Sequence, residues 1–304
     1  MAKLLGIGSA LFDMLMTVEG FPKEDSKVQG IESKAQGGGP CAGALVAAGK
    51  LGIEAGYIGT LGDDAYGDFI RESLSRYGVG TDHVRIVKGA VSYHSIVILN
   101  LQNATRTCVW SRGNVPSPKM EDVDIRVLRE ASFLHLDGHH LETAIYAAGK
   151  AREYGIKVSL DAGGVYPGIR RLLPHVDILI PSEEFSLKFT GERDVLRAAE
   201  ILEGAYHSEV LIVTQGARGG FLWQEGREVR YPAFRVKAVD SNGAGDTFHG
   251  AFLAARMKGM ELLEAAGFAS AASALKCTRF GTQEGIPGFD EVLKFIQEYQ
   301  ELEE

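Results

Sequence analysis

The chain has 304 residues, 45% hydrophobic and 24% charged, which is enough for one large α/β domain or two modest ones. A net charge of −8 argues against a duplex nucleic-acid binder, whose surface is basic. It leaves a local anion site open, because a few backbone N–H groups suffice to hold one.

The predicted elements follow in chain order. Leu4–Ile7 reads as a short buried strand, and Leu11–Val18 and Lys27–Ala35 as strands with more polar content. The run Gly37-Gly38-Gly39-Pro40 leads into an Ala-rich helix over Cys41–Leu51, with proline favourable at a helix start. Ala55–Gly59 is a strand, and Ala65–Tyr77 is a helix stopped by Gly78. Strands then recur at Phe133–Leu136, Lys157–Leu160, Asp177–Ile180 and Val210–Val213, with helices between, one of them Leu141–Tyr154. That alternation predicts a parallel sheet covered by helices on both faces.

Ala90–Leu99 and Thr105–Trp110 break the alternation. They read as a hairpin turning at Gln102-Asn103-Ala104, and with 11–18 and 27–35 they predict a small separate sheet, a natural lid. Helices over Gly245–Lys258, Leu262–Lys276 and Phe289–Glu301 close the chain, with a frayed acidic tail over Glu301–Glu304. No repeat or low-complexity tract is present.

Three scattered cysteines, Cys41, Cys108 and Cys277, fit a reducing, cytoplasmic setting better than a disulfide scaffold, and no pair has zinc-site spacing. The apolar run after Met1 is too short for a signal peptide, and nothing approaches the ~20 apolar residues of a membrane span.

The most informative stretch is Asp240-Ser241-Asn242-Gly243-Ala244-Gly245-Asp246-Thr247-Phe248. A Gly-Ala-Gly turn opens a helix whose mouth is almost bare of side chains, so its N–H groups and dipole can hold negative charge. Asp246 stands in the same first turn. Taken alone, it is equally well a favourable first-turn carboxylate. Beside an anion pocket it is also placed to take a proton from an attacking hydroxyl. Two familiar nucleotide motifs are excluded: Gly6-x-Gly8 lacks its third glycine, since position 11 is Leu11. Gly49-Lys50-Leu51 and Gly149-Lys150-Ala151 lack the hydroxyl of a P-loop.

Asp240 to Phe252 resembles the second signature of the PfkB (ribokinase-like) carbohydrate kinases, and the resemblance runs the length of the chain. It implies a three-layer ribokinase-like α/β fold, one domain over 1–304, with a central mostly parallel sheet and a small β lid from 11–35 and 90–112. It also implies an ATP-dependent kinase using Mg²⁺ with a sugar substrate, while charge and hydropathy predict no nucleic-acid or membrane partner and the lid's open sheet face predicts a homodimer. Asp246 is then the general base and the amides of Gly243, Ala244 and Gly245 the anion hole. Asp13, Gly37, Gly38 and Gly39 hold substrate; Thr214, Gly216 and Gly219, in the loop ending at Gly220, and Ser182 serve the nucleotide. Thr278-Arg279-x-Gly281-x-Gln283 resembles the segment that, with Asp240 and Asn242, encloses a monovalent cation such as K⁺.

Departures from the pattern bear on the metal and the acceptor. Ala42 stands where the family has a sugar-contacting Asn, and Pro181-Ser182-Glu183-Glu184-Phe185 replaces its Asn-x-x-Glu. Either Mg²⁺ is held through phosphate and water, or Glu183 or Glu184 substitutes, or both are ordinary first-turn acids. These departures, the triple glycine and Ala274 to Arg279 are similar to the sulfofructose-kinase branch, in ancestry more than in substrate. His94, Arg106, Trp110 and Arg112 on the lid are candidates for substrate contact, arginine suiting a sulfonate or phosphate. A nucleoside kinase of the same fold is the alternative, with Trp110 the discriminating feature. His139 and His140, adjacent at a strand end, are poor metal ligands.

Overall fold

The structure is a computed structural model that describes residues 3–103 and 105–303. The chain opens with β1 (Lys3–Ile7), β2 (Leu11–Val18), β3 (Glu32–Gly38), α1 (Pro40–Lys50), β4 (Glu54–Gly62), α2 (Ala65–Arg76) and β5 (Val79–Val87). The hairpin β6 (His94–Asn100) and β7 (Thr105–Ser111) follows, then a short α3 (Ile125–Leu128), β8 (Phe133–Leu136), α4 (Leu141–Glu153) and β9 (Lys157–Ala162). Next come β10 (Ile178–Pro181), α5 (Glu183–Thr190), α6 (Val195–Tyr206), β11 (Val210–Thr214), β12 (Gly220–Gln224) and β13 (Arg227–Tyr231). Three helices, α7 (Ala244–Met257), α8 (Leu262–Cys277) and α9 (Phe289–Glu303), complete it.

Nine strands form one sheet in the order β13-β12-β11-β10-β9-β8-β1-β4-β5, all running the same way except β12, which is antiparallel to both its neighbours. The inner strands are apolar on both faces, as a doubly covered parallel sheet requires. In β1, Leu4 packs into the core on the α1–α7–α8 side, while Leu5 and Ile7 pack into the core on the α4–α5–α6 side. In β11, Ile212 faces the first core and Leu211 and Val213 the second. This is the ribokinase-like three-layer arrangement, and the sheet's carboxyl ends are left free for a site.

The lid is a second sheet, β3-β2-β6-β7, with β2 and β6 parallel and the other pairs antiparallel. Leu15, Val97 and Leu99 seat it on Phe280.

The sequence reading misplaces several boundaries. The third strand is not Lys27–Ala35: pairing starts where Thr17 meets Glu32 and runs through Gly38. Gly37 and Gly38 are therefore strand residues facing Phe12 and Leu11, and only Gly39, with φ 99°, makes the turn into α1. The hairpin's first strand starts at His94, not Ala90, and the turn residue Ala104 lies outside the described residues. β5 and the β12–β13 hairpin belong to the main sheet, and α9 continues through Glu301 to Glu303; Glu304, the rest of the acidic tail, lies outside the described residues.

Candidate active site

Four neighbouring strands deliver a polar group each to one rim of the sheet. Asp137 follows β8, Asp161 is near the end of β9, Ser182 follows β10 and Thr214 ends β11. All four line a cleft of about 550 Å³ whose other wall is the lid, through Asp13, Ser95, Arg106 and Trp110. The mouth of α7, from Ser241 to Asp246, forms its end.

Asp13 alternates with Met14 along β2, which turns the carboxylate inward and the thioether outward. Its cross-strand partner on β6 is Ser95, whose hydroxyl donates to Asp13 Oδ1. Burial pushes the Asp13 carboxyl up, and the Ser95 bond pulls it part of the way back. Arg106 points inward from β7, with Nη1 3.4 Å from Ser241 Oγ, tying the lid to the loop before α7.

The α7 mouth has the form that the sequence predicts. Gly243 is its cap, at φ 77°, a left-handed conformation closed to most side chains, and an added Cβ would run into Thr282. Ala244 and Gly245 follow, and the Asp246 carboxylate projects from the first turn. Burial pushes that carboxyl up to about 7, with the charge of Asp161 adding to the rise and His249 opposing it. Gly43 of α1 lies against it: a Cβ there would sit 2.7 Å from Asp246 Cβ and Oδ2.

A second cavity of about 580 Å³ runs along the far side of the same loop. Its walls are mostly apolar, from Ala217, Tyr231, Phe234, Val236 and Ala274, and Gly216 and Gly219 also line it. The two cavities share Thr214, Ser241, Ala244 and Gly245, so they meet at the bare amides of the α7 mouth.

Other predicted residues lie elsewhere. Gly39 lines the cleft, but Gly37 and Gly38 do not: Gly38 packs behind Asp13, and Gly37 against Gln283. Arg112 sits in a small side recess with Tyr57 and His140, its Nη2 3.4 Å from Ser117 Oγ. Glu183 is turned away, accepting from Gln215 Nε2 at 3.0 Å and paired with Arg218, whereas Glu184 lines the cleft. His94 stacks on Tyr66 at 4.5 Å between ring centres, outside the cleft. His139 Nδ1 is spent on Asp137 at 3.2 Å, and His140 Nδ1 on Ser117 Oγ at 3.0 Å.

Asp240 and Asn242 do not present an open cation site. The ammonium of Lys276 is already there, 2.8 Å from the Asp240 carbonyl oxygen and 3.6 Å from its Oδ2. Burial pulls the Lys276 ammonium below its ordinary value, and the Asp240 charge holds it back up.

The structure adds groups that the sequence reading passed over. His249, one turn beyond Asp246 on α7, lines the cleft with Nε2 3.2 Å from Asp161 Oδ1. Its i+3 spacing from Asp246 was a usable signal. Behind it His135 is fully buried, neither ring nitrogen bonded, and burial pulls it down to about 4. Ser95 had no signal short of the lid's strand register.

Comparison with known proteins agrees with this fold. The ribokinase of Bacillus subtilis is 29% identical over 298 residues, covering 97% of this chain and all (100%) of that protein. An ATP-dependent ribose-1-phosphate kinase of Halopiger xanaduensis is 28% identical, with 98% and 99% covered. The structure of Arabidopsis thaliana ribokinase complexed with ribose and ATP superimposes with a TM-score of 0.86 at 28% identity, covering 98% and 99% of the two chains. Residues 1–288 match the pfkB family carbohydrate kinases. The chain belongs to that family and is a phosphotransferase that uses an alcohol group as acceptor.

Proposed function

We propose that this chain is an ATP-dependent kinase that phosphorylates a primary hydroxyl of a sugar or sugar derivative. The observation that carries this reading is the meeting of two cavities at the Gly243–Gly245 amides, with Asp246 on the acceptor side.

The acceptor enters between lid and sheet. Asp13, fixed by Ser95, accepts hydrogen bonds from its hydroxyls. The adenine lies along the apolar groove of Tyr231, Phe234 and Ala274, with the phosphates running past Thr214 and the Gly216–Gly219 turn to the α7 mouth. Asp246 takes the proton of the attacking hydroxyl, and the bare amides receive the charge spreading over the transferred group. Arg106, bridging to Ser241, holds the lid over the cleft and keeps water from competing as acceptor.

Among the described residues, no three His, Cys, Asp or Glu side chains converge into a metal cage. The donors would fit a Mg²⁺ ion arriving with the nucleotide, with Glu184, whose Oε1 pairs with Lys188, among the cleft carboxylates that could help to hold it. Bound there, it neutralises charge on the phosphates.

Carboxylates line the cleft from both sides, Asp13 from the lid and Asp137, Asp161 and Asp246 from the sheet rim and the α7 mouth. That favours an uncharged, hydroxyl-rich acceptor; a phosphate or sulfonate would have to reach Arg106. The test is ADP release from MgATP against hexoses, ketoses, pentoses, sugar phosphates, a sulfo-sugar and nucleosides, with Asp246→Asn as control. Turnover of a sugar that disappears in the control supports the reading. Turnover of nucleosides alone moves it to the nucleoside-kinase alternative, with Trp110 and Tyr93, 5.6 Å apart in the cleft, as the stacking platform.

The lid's outer face supports a homodimer. Met14, Ile96 and Val109 stand in one cross-strand row, 37%, 53% and 66% exposed, beside Met16. An apolar row on an open sheet face is normally covered. A monomeric sedimentation profile at micromolar concentration would remove this assembly.

A further inference from the structure

Lys276 lies in the last turn of the Ala-rich α8, and its side chain is 0% exposed. An ammonium withdrawn from water is costly unless charge and hydrogen bonds replace its hydration. Both of its oxygen contacts come from Asp240, the carbonyl at 2.8 Å and Oδ2 at 3.6 Å. That carboxylate is also fully buried, and it holds the backbone around it: Oδ1 accepts from Asn242 N at 2.9 Å and Oδ2 from Gly281 N at 3.0 Å. On the other side, Val239 N and Asp240 N donate to Cys277 O at 2.7 and 3.1 Å. The lysine is thus a fully buried positive charge at a knot joining the end of α8, the Gly281 segment and the loop that becomes the anion hole. It lines neither cavity.

We propose that Lys276 is a tethered cation: its ammonium fills the place beneath the Asp240–Gly245 loop that the family resemblance assigns to a monovalent ion. The loop then keeps its anion-hole geometry without K⁺. A carbonyl and a carboxylate oxygen converging in a buried place call for a small positive charge, and the lysine ammonium is a compact one with three donors. Being covalently attached, it fills the place at any salt composition. Lys276 is a positioning residue, acting through Asp240 on amides it does not touch.

The test compares turnover and melting temperature of the wild-type chain in choline chloride and in potassium chloride at equal ionic strength. Both quantities are expected to be the same in the two salts. Lys276→Met, which keeps volume and removes charge, is expected to lose about tenfold or more in kcat, as when an anion hole is impaired, with KM for the nucleotide little changed. The neutral pair Asp240→Asn/Lys276→Met is expected to recover melting temperature but not kcat. Activation or specific stabilisation of the wild type by K⁺ would overturn the assignment. So would a double variant with wild-type kcat, which would make the pair merely structural. The turnover arms rest on the kinase reading; should no sugar be phosphorylated, that reading fails while the melting comparison still decides the cation.

Discussion

The end of β8 and the mouth of α7 each bring one carboxylate to the same cleft, and the two are treated in opposite ways. Asp137 is saturated: Ser9 N at 2.7 Å, Ser9 Oγ at 2.9 Å, Cys41 N at 3.2 Å and His139 N at 3.0 Å all donate to it. Burial alone would push its carboxyl up, but His139 and the amides outweigh that and hold it far below the ordinary carboxylate range. Among the described residues Asp246 has no such donors beyond its own backbone, and burial with the nearby Asp161 charge pushes it up to about 7. Burial does not make a base; burial without donors does. Asp137 is a fixed charge that pins Ser9 and the start of α1 to the sheet, whereas Asp246 is free to take a proton.

The largest effect separates the two roles. Asp246→Asn should lose about 10²–10⁴-fold in turnover, with nucleotide binding retained by calorimetry. Its stability should not suffer: a carboxyl whose folded pKa is raised contributes stability at low pH and loses it as pH rises through about 7, so the amide is at least as stable above that pH. Unchanged turnover would sink the assigned role. Asp137→Asn should do the reverse, costing on the order of 2–4 kcal/mol in denaturant unfolding because several donors lose a charged acceptor. The wild-type stabilisation from Asp137 is present above its ordinary value of 3.8 and disappears as pH falls below it, so it contributes to acid unfolding there. A variant as stable as the wild type would show that the donors do not matter.

Gly43→Ala tests how closely α1 must approach Asp246. A Cβ 2.7 Å from Asp246 must displace it, so kcat should drop about tenfold while overpacking costs ~1–3 kcal/mol. Full activity would mean that the carboxylate has room to spare. The smallest effect is expected on the lid. Ser95→Ala removes one hydrogen bond to Asp13, worth about 1 kcal/mol, and should raise the sugar KM roughly fivefold without moving the ATP KM. A parallel rise in both would place Ser95 outside substrate binding.

What was legible in the sequence follows the same division. The Gly243-Ala244-Gly245-Asp246 motif is local: a left-handed cap, two small residues and a carboxylate within one helical turn, all readable along the chain. The buried strands were legible because an apolar run of β-formers covered on both faces has one simple reading, as at Val210–Thr214. Edge elements were not: β5 mixes Gly80, Thr81 and Asp82 with its valines, and β13 has Arg227, Glu228 and Arg230 in five residues. Groups that act through distant partners were also invisible. Ser95 meets Asp13 across 82 positions, and Lys276 meets Asp240 across 36, pairings fixed only by sheet register and helix packing. Glu183 was placed at the metal by its motif position, but Arg218, 35 residues on, draws it away.

The ionisation of Asp246 is read most directly by the pH dependence of kcat/KM in the wild type. A base must be deprotonated to work, so activity should fall as pH drops, with an acid limb near 7 that Asp246→Asn abolishes along with the bulk of the rate. An acid limb at the ordinary carboxylate value of 3.8, or activity flat through 7, would contradict the account.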